Sequence, residues 1–206
     1  MNPVTEQTRP DPVGVTAPSQ RADALRNRQK VLKAARTCLC KDGLDAQMED
    51  IARRAKVGVG TVYRHFPNKG DLVAALAAER FERLAELARE AIAAPDAWEA
   101  FCEFLRESAQ IQVADRALSE TMLENPAEMR EKADHVHLLA LVTELMDKAK
   151  ATGKLRADAE PEDVPMTMCA LGGAANYPAM DWERYLGLVI DGFRAPGSTA
   201  LPPRSS

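Results

Sequence analysis

Residues 47–69 read QMEDIARRAKVGVGTVYRHFPNK, and this stretch decides the fold. Met48, Ile51, Ala52 and Ala55 recur at the three- and four-residue steps of a helix face. Lys56–Val57–Gly58 then predicts a tight turn. A second short helix ends in the aromatic-basic cluster Tyr63-Arg64-His65-Phe66, and Pro67 stops it. Two short helices joined by such a turn make a helix-turn-helix, whose second helix can enter a DNA major groove. Ile51, Ala55, Val57, Val62 and Phe66 supply the buried side. Thr61, Tyr63, Arg64 and His65 are left to face outward, with Lys69 just past the stop. Hydroxyls, a guanidinium and aromatic edges suit phosphates and base edges, so the chemistry points to a DNA reader.

The stretch IARRAKVGVGTVYRHFPNKGDL (51–72) resembles the DNA-binding signature of the TetR/AcrR-type transcriptional regulators. The resemblance runs through Ile51-Ala52, Ala55, Val57, Gly60-Thr61, Tyr63, His65-Phe66, Lys69 and Leu72. It extends from Arg28 to Leu76, about a quarter of the chain. Beyond that, Gly153-Lys154-Leu155-Arg156 and Pro161-Glu162-Asp163-Val164 bear a faint likeness to the family's C-terminal ligand domains. Two positions depart from the pattern. Ala46 and Gln47 stand where a capping Thr or Ser is usual, and Gly58 replaces Ser at the cap of the second helix. Ala is a poor N-cap and Gly a tolerable one.

Charge is distributed unevenly. Residues 21–70 carry 12 Lys+Arg against 5 Asp+Glu, a balance of +7, whereas the whole chain stands at −4. A basic head on an acidic body confines the electrostatic footprint to one end and orients that end toward a polyanion. No run approaches the roughly 18 apolar residues of a membrane span, and no signal pattern opens the chain, so the cytoplasm is the expected compartment. Cys38, Cys40, Cys102 and Cys169 lack the spacing of a disulfide framework or a metal site and read as small core residues. No cofactor or metal is expected.

The remaining chain reads as all-α, about nine helices in total. Residues 1–20 hold four prolines and no apolar period, the pattern of a disordered arm. An amphipathic helix over Ala24–Lys41 uses Leu25, Val31, Leu32, Ala35, Cys38 and Leu39, closed by Gly43. The head is thus a three-helix unit over 21–70. An effector-binding and dimerisation bundle over 71–195 follows, then a disordered tail over 196–206. A long helix over Asp71–Ala94 links the two as a lever. Further helices are expected after Pro95-Asp96, over Asp115–Leu123, over Ala127–Ala151, over Glu162–Ala175 and over Trp182–Phe193. The run Val136-His137-Leu138-Leu139-Ala140-Leu141-Val142 is apolar nearly all round, which predicts a central post buried on every side.

The candidate DNA contacts are Gln47, Met48, Val59, Gly60, Thr61, Tyr63, Arg64, His65 and Lys69. Val59 suits a thymine methyl, Gly60 permits close backbone approach, and Arg64 has the fork for guanine O6/N7. The family resemblance implies an effector pocket, for which Trp98, Phe101, Leu105, Met122, His137, Leu141, Met168 and Tyr177 are the candidates. A twofold would space two recognition helices along DNA. The expected interface for it is Gly172, Trp182, Tyr185, Leu186, Val189 and Phe193. No nucleophile-base-acid constellation assembles. The expectation is a non-enzymatic, ligand-responsive repressor acting as a homodimer on a palindromic double-stranded operator. The alternative is a small-molecule-binding or enzymatic helical protein whose basic head is incidental.

Overall fold

The computed structural model describes residues 18–114, 118, 126–174, 181–197 and 199–202. Nine α-helices lie among them. They are α1 (Pro18–Asp42), α2 (Met48–Ala55), α3 (Val59–His65), α4 (Lys69–Ala93), α5 (Ala97–Ala114), α6 (Pro126–His135), α7 (Leu138–Ala151), α8 (Asp163–Ala174) and α9 (Trp182–Phe193). The all-helical expectation holds, with a helix-turn-helix head and a helical body. The expected arm falls outside the described residues up to position 17. So does the expected helix over 115–123, except Leu118, which is buried.

Several boundaries move for local reasons. α1 begins at Pro18, well before Ala24, because proline's missing N–H and fixed φ suit a first helical turn. Leu25, expected on the apolar face of this helix, is exposed, and the packed face begins at Val31. Gly43 ends the helix region at φ +58°, a conformation glycine adopts without a Cβ clash. α4 starts at Lys69 because Asn68 caps it, its Oδ1 accepting from the Asp71 amide at 2.9 Å.

The lever joins two apolar cores. One holds α1, α2 and α3 together through Val31, Leu32, Ile51, Val62 and Phe66, and continues along α4 from Leu72 to Ala85. Each fully buried aliphatic side chain here contributes about 1.5–3 kcal/mol of transfer free energy. The second core begins on α4 at Leu87 and gathers Phe101, Leu105, Leu145, Met146, Leu171 and Phe193. The head's core therefore does not stop at Gly70, and half of α4 packs as part of it.

The central post is a correction. The chain breaks at His137, which sits in the left-handed region (φ 54°, ψ 34°) and starts a new helix. His137, Leu139 and Ala140 are exposed, while Val136, Val142, Leu145, Met146 and Ala149 are buried. An unbroken apolar run carries no marker of its solvent face. Histidine is also among the residues that enter the left-handed region more readily than most, so no glycine marks the break.

Two smaller expectations also change. Only Cys38 and Cys102 are core residues, while Cys40 and Cys169 are exposed. The chain beyond α9 does not simply trail away. Arg156 donates to Gly192 O (3.2 Å) and Thr199 O (2.6 Å) and pairs with Asp158 (2.6 Å), whose second oxygen accepts from the Leu201 amide at 2.8 Å. A single antiparallel bridge between Leu155 and Arg194 completes the return as far as residue 202. No helix among the described residues is long and apolar enough to cross a membrane.

Candidate nucleic-acid interface

α2 and α3 are set by backbone geometry at their junction. The Lys56 amide donates to Arg53 O and the Val57 amide to Ala52 O, both at short range (3.2 and 3.1 Å), with Lys56 at φ 56°. This is a Schellman ending with lysine in the place glycine usually takes. Val57 then turns back, half-buried, onto the head core. Gly58 is extended (φ −65°, ψ 145°) and caps α3 through its carbonyl, which accepts from the Thr61 and Val62 amides at 2.8 and 3.3 Å. Neither Gln47 nor Gly58 makes a side-chain cap bond, in keeping with the poor capping residues at both starts. Gln47 instead donates through Nε2 to Asp45 O at 2.7 Å.

With only seven residues, α3 divides sharply. Val62 and the following Phe66 are buried against α1 and α2. On the other side Val59 (38% exposed), Gly60, Tyr63 (42% exposed) and Arg64 stand open, and Thr61 and His65 are half-buried. A Cβ added to Gly60 would meet nothing within 4 Å. Tyr63 Oη reaches Glu49 Oε1 on α2 at 3.4 Å, a weak bond that leaves the hydroxyl available to a phosphate. Lys69 is half-buried at the first position of α4. Met48 is buried in the head core, so it supports α2 and does not offer its side chain outward.

The start of α4, at Lys69, Gly70 and Asp71, offers the backbone amides and the positive dipole end that favour an anion. The structure puts Asn68 and Asp71 there, with Asn68 Nδ2 also donating to Asp71 Oδ2 at 2.8 Å. These side chains already serve the Asp71 amide and the dipole, so any phosphate contact at this end involves Lys69 and the amides before Asp71. Gly70 makes the arrangement possible, since a Cβ there would stand 3.0 Å from Asn68 Oδ1. The Asn-x-x-Asp spacing was the signal for this cap. Arg54 and Lys56, both exposed, add positive charge beside α3 and were not singled out from sequence. Arg53 is held by Asp50 at 2.6 Å.

The recognition unit is also tied to the lever. Glu79 on α4 receives Arg36 (2.9 Å) and Arg28 (4.0 Å) from α1, and the Arg28 guanidinium lies 5.3 Å from the centroid of the Phe66 ring. These pairs are one-third or more exposed, so each is worth about 0.2–1 kcal/mol. They fix orientation more than they stabilise.

The expected pocket and interface residues separate in the body. Trp98, Phe101, Leu105 and Met168 are packed in the second core, Phe101 edge-on to Phe193 at 5.6 Å. Leu141 is half-buried between the two cores, and exposed His137 cannot line an interior pocket. Met122 and Tyr177 lie outside the described residues. A cleft of about 500 Å³ opens instead between α5 and α9, lined by Arg106, Gln110, Trp182, Leu186, Ile190 and Arg194 among others.

Among the interface candidates, Gly172, Leu186 and Phe193 are buried within the protomer, and Trp182 and Val189 pack half-buried on the same core. Gly172, Leu186 and Phe193 are thus spent within the protomer, while Trp182, Val189 and Tyr185 keep exposed surface. The physical reason is that α9 has two apolar sides, and the stripe of Trp182, Leu186, Val189, Ile190 and Phe193 is spent on its own bundle. Leu188 (64% exposed) and Tyr185 form the outer side of α9, and on α8 Met166 is exposed as well (72%).

Comparison with known proteins covers both parts. Residues 31–76 match the family described as bacterial regulatory proteins, tetR family, and residues 96–195 match the transcriptional regulator SbtR-like C-terminal domain. The crystal structure of a TetR transcription regulatory protein from Mycobacterium vanbaalenii is 34% identical, with TM-score 0.65, over 85% of this chain and 99% of that one. The TetR transcriptional regulator SCO0520 from Streptomyces coelicolor is 28% identical, with TM-score 0.64, over 82% and 99%. The HTH-type transcriptional repressor KstR of Rhodococcus jostii is 43% identical over 58 residues, 28% of this chain and 27% of that repressor. The chain thus matches only about a quarter of that curated relative's length.

Proposed function

The chain belongs to the TetR family of bacterial regulatory proteins, and from that premise we propose that it is a ligand-responsive repressor binding a palindromic operator as a homodimer. It acts by DNA binding and not by catalysis, in the cytoplasm. The observation that carries the reading is the division of α3. One side is buried as head core, and the other presents Val59, Gly60, Tyr63 and Arg64 exposed, with Thr61 half-buried beside them. In the complex, Thr61, Tyr63, His65 and Lys69 bind phosphate and groove edge. Val59, Gly60 and Arg64 meet bases, and Gln47 contacts backbone at the start of α2.

A second copy supplies the second half-site. The outer sides of α8 and α9, with Met166, Tyr185 and Leu188 and with Gly173, Gly187 and Gly192 open to close approach, support a helix-bundle interface there. The effector binds among the body helices. It makes room by displacing adaptable side chains such as Met168. Binding favours a state in which α4 tilts, the two recognition helices no longer match successive grooves, and operator affinity falls. Selection of bound fragments from genomic DNA, followed by gel shifts across a salt series, tests this. Salt-sensitive, sequence-selective binding is expected. Uniformly weak binding to every fragment rejects the repressor reading.

A further inference from the structure

Among the described residues, three polar side chains are buried, and they cluster: Arg80 on α4, and Ser108 and Gln112 one turn apart on α5. An Arg80 terminal nitrogen donates to Gln112 Oε1. Arg80 sits on the stretch of the lever that packs in the first core, between Ala77 and Phe81, about two turns before the second core begins at Leu87. The third party is Gly172 on α8. A Cβ there would stand 2.5 Å from Gln112 Nε2 and 3.3 Å from both Cδ and Cγ. The carboxamide is thus bounded by the lever's guanidinium at its oxygen and by the backbone of α8 at its nitrogen.

Apolar contacts alone would join these helices without the cost of burying a guanidinium. They would also tolerate sliding, whereas a hydrogen bond weakens steeply once distance or angle departs from its optimum. We propose that Arg80, Gln112 and Gly172 form a latch that sets the register of the lever against the body, and that α8 releases it by pressing on the Gln112 amide. This rests on the reading of the chain as a dimer whose operator affinity depends on lever angle. Gln112 and Gly172 act as positioning residues and touch no DNA.

Full-length protein carrying Gly172→Ala, Gln112→Ala, the double substitution, or Gln112→Glu tests the latch. Gly172→Ala drives the amide off Arg80, Gln112→Ala removes it, and Gln112→Glu keeps an acceptor in the same volume. The first readout needs no DNA. It is the distance distribution between spin labels on Lys41→Cys and Asp147→Cys, with Cys40→Ser and Cys169→Ser in the background. The second is affinity for the selected operator.

The two alanine variants are expected to shift or broaden the distance distribution and weaken operator binding about tenfold. The double variant should be no worse than either single one, since both remove one contact. Gln112→Glu should match the parent. Distances unchanged in both alanine variants, additive losses, or a Gln112→Glu protein that behaves like Gln112→Ala would each overturn the latch. If Gly172→Ala does not fold, the Gln112 pair carries the same comparison. A parent protein that binds no operator rejects the repressor reading while the spin-label distances still decide the latch.

Discussion

Substituting Gly60 separates folding from DNA binding by sign. The residue is the second of α3, exposed, and nothing lies within 4 Å of the Cβ it lacks. For the free protein, alanine in place of a helical glycine removes backbone entropy from the unfolded chain and is worth about 0.5–1 kcal/mol. A first-turn position belongs at the lower end of that range. With roughly 2–4 °C per kcal/mol for a chain of this size, the melting temperature should rise by about 1–2 °C.

On DNA the same methyl group enters a gap that backbone and duplex are proposed to share. Losing one close contact per half-site at about 1 kcal/mol each gives about 2 kcal/mol over a dimer, near a 30-fold loss. Gly60→Leu should cost more binding with no loss of stability. Thermal melting and fluorescence anisotropy with the selected operator, at one fixed salt concentration, measure both sides. An alanine variant that binds as tightly as the parent refutes close approach of the duplex at the start of α3. One that melts lower refutes the open site itself.

Lys69→Gln should flatten the dependence of log K on log salt by about 1.8 for a dimer, one phosphate per protomer at about 0.9 each; parallel lines would remove Lys69 from the phosphate contacts. Leu188→Arg alters a side chain with no role in the protomer core, so the fold should survive while sedimentation reports a monomer; a persisting dimer places the interface elsewhere. Burial pushes the Cys102 thiol up to about 11, so alkylation at pH 8 should modify Cys40 and spare Cys102 until denaturant is added. Cys169, on the outer side of α8, should be slowed in the dimer and react at the rate of Cys40 in Leu188→Arg. Arg156 and the Leu201 amide hold the Asp158 carboxyl well below the usual carboxylate range. A depressed native value stabilises the tail return above the ordinary aspartate pKa of about 4 and loses that contribution as pH falls through and below it. Proteolysis of the C-terminal residues should therefore speed up on acidification, and Asp158→Asn should show the fast rate at pH 7; a pH-independent rate in the parent would contradict this.

Local features were legible because they depend on residues within one or two turns. Ile51, Ala55, Val62 and Phe66 lie at spacings that a helical face satisfies, and Gly43 closes its helix through glycine's freedom at positive φ, Pro67 through proline's fixed φ and missing N–H. Asn68 and Asp71 are equally local, a cap and its partner three residues on. The outward set on α3 followed by subtraction once the buried set was known.

What no spacing could decide was competition between distant partners. α9 carries two apolar sides, and whether Leu186 or Leu188 meets the body depends on the surface that α5 and α8 present to it. His137 breaks a run whose local pattern favours continuity, because packing of Val136 and Val142 into different cores outweighs one left-handed residue. Arg80 and Gln112, 32 positions apart, pair only because α4 and α5 pack side by side. Helix faces are set by nearest neighbours along the chain. The choice of what each face touches is set by the lowest free energy of the whole packing, which only the tertiary structure contains.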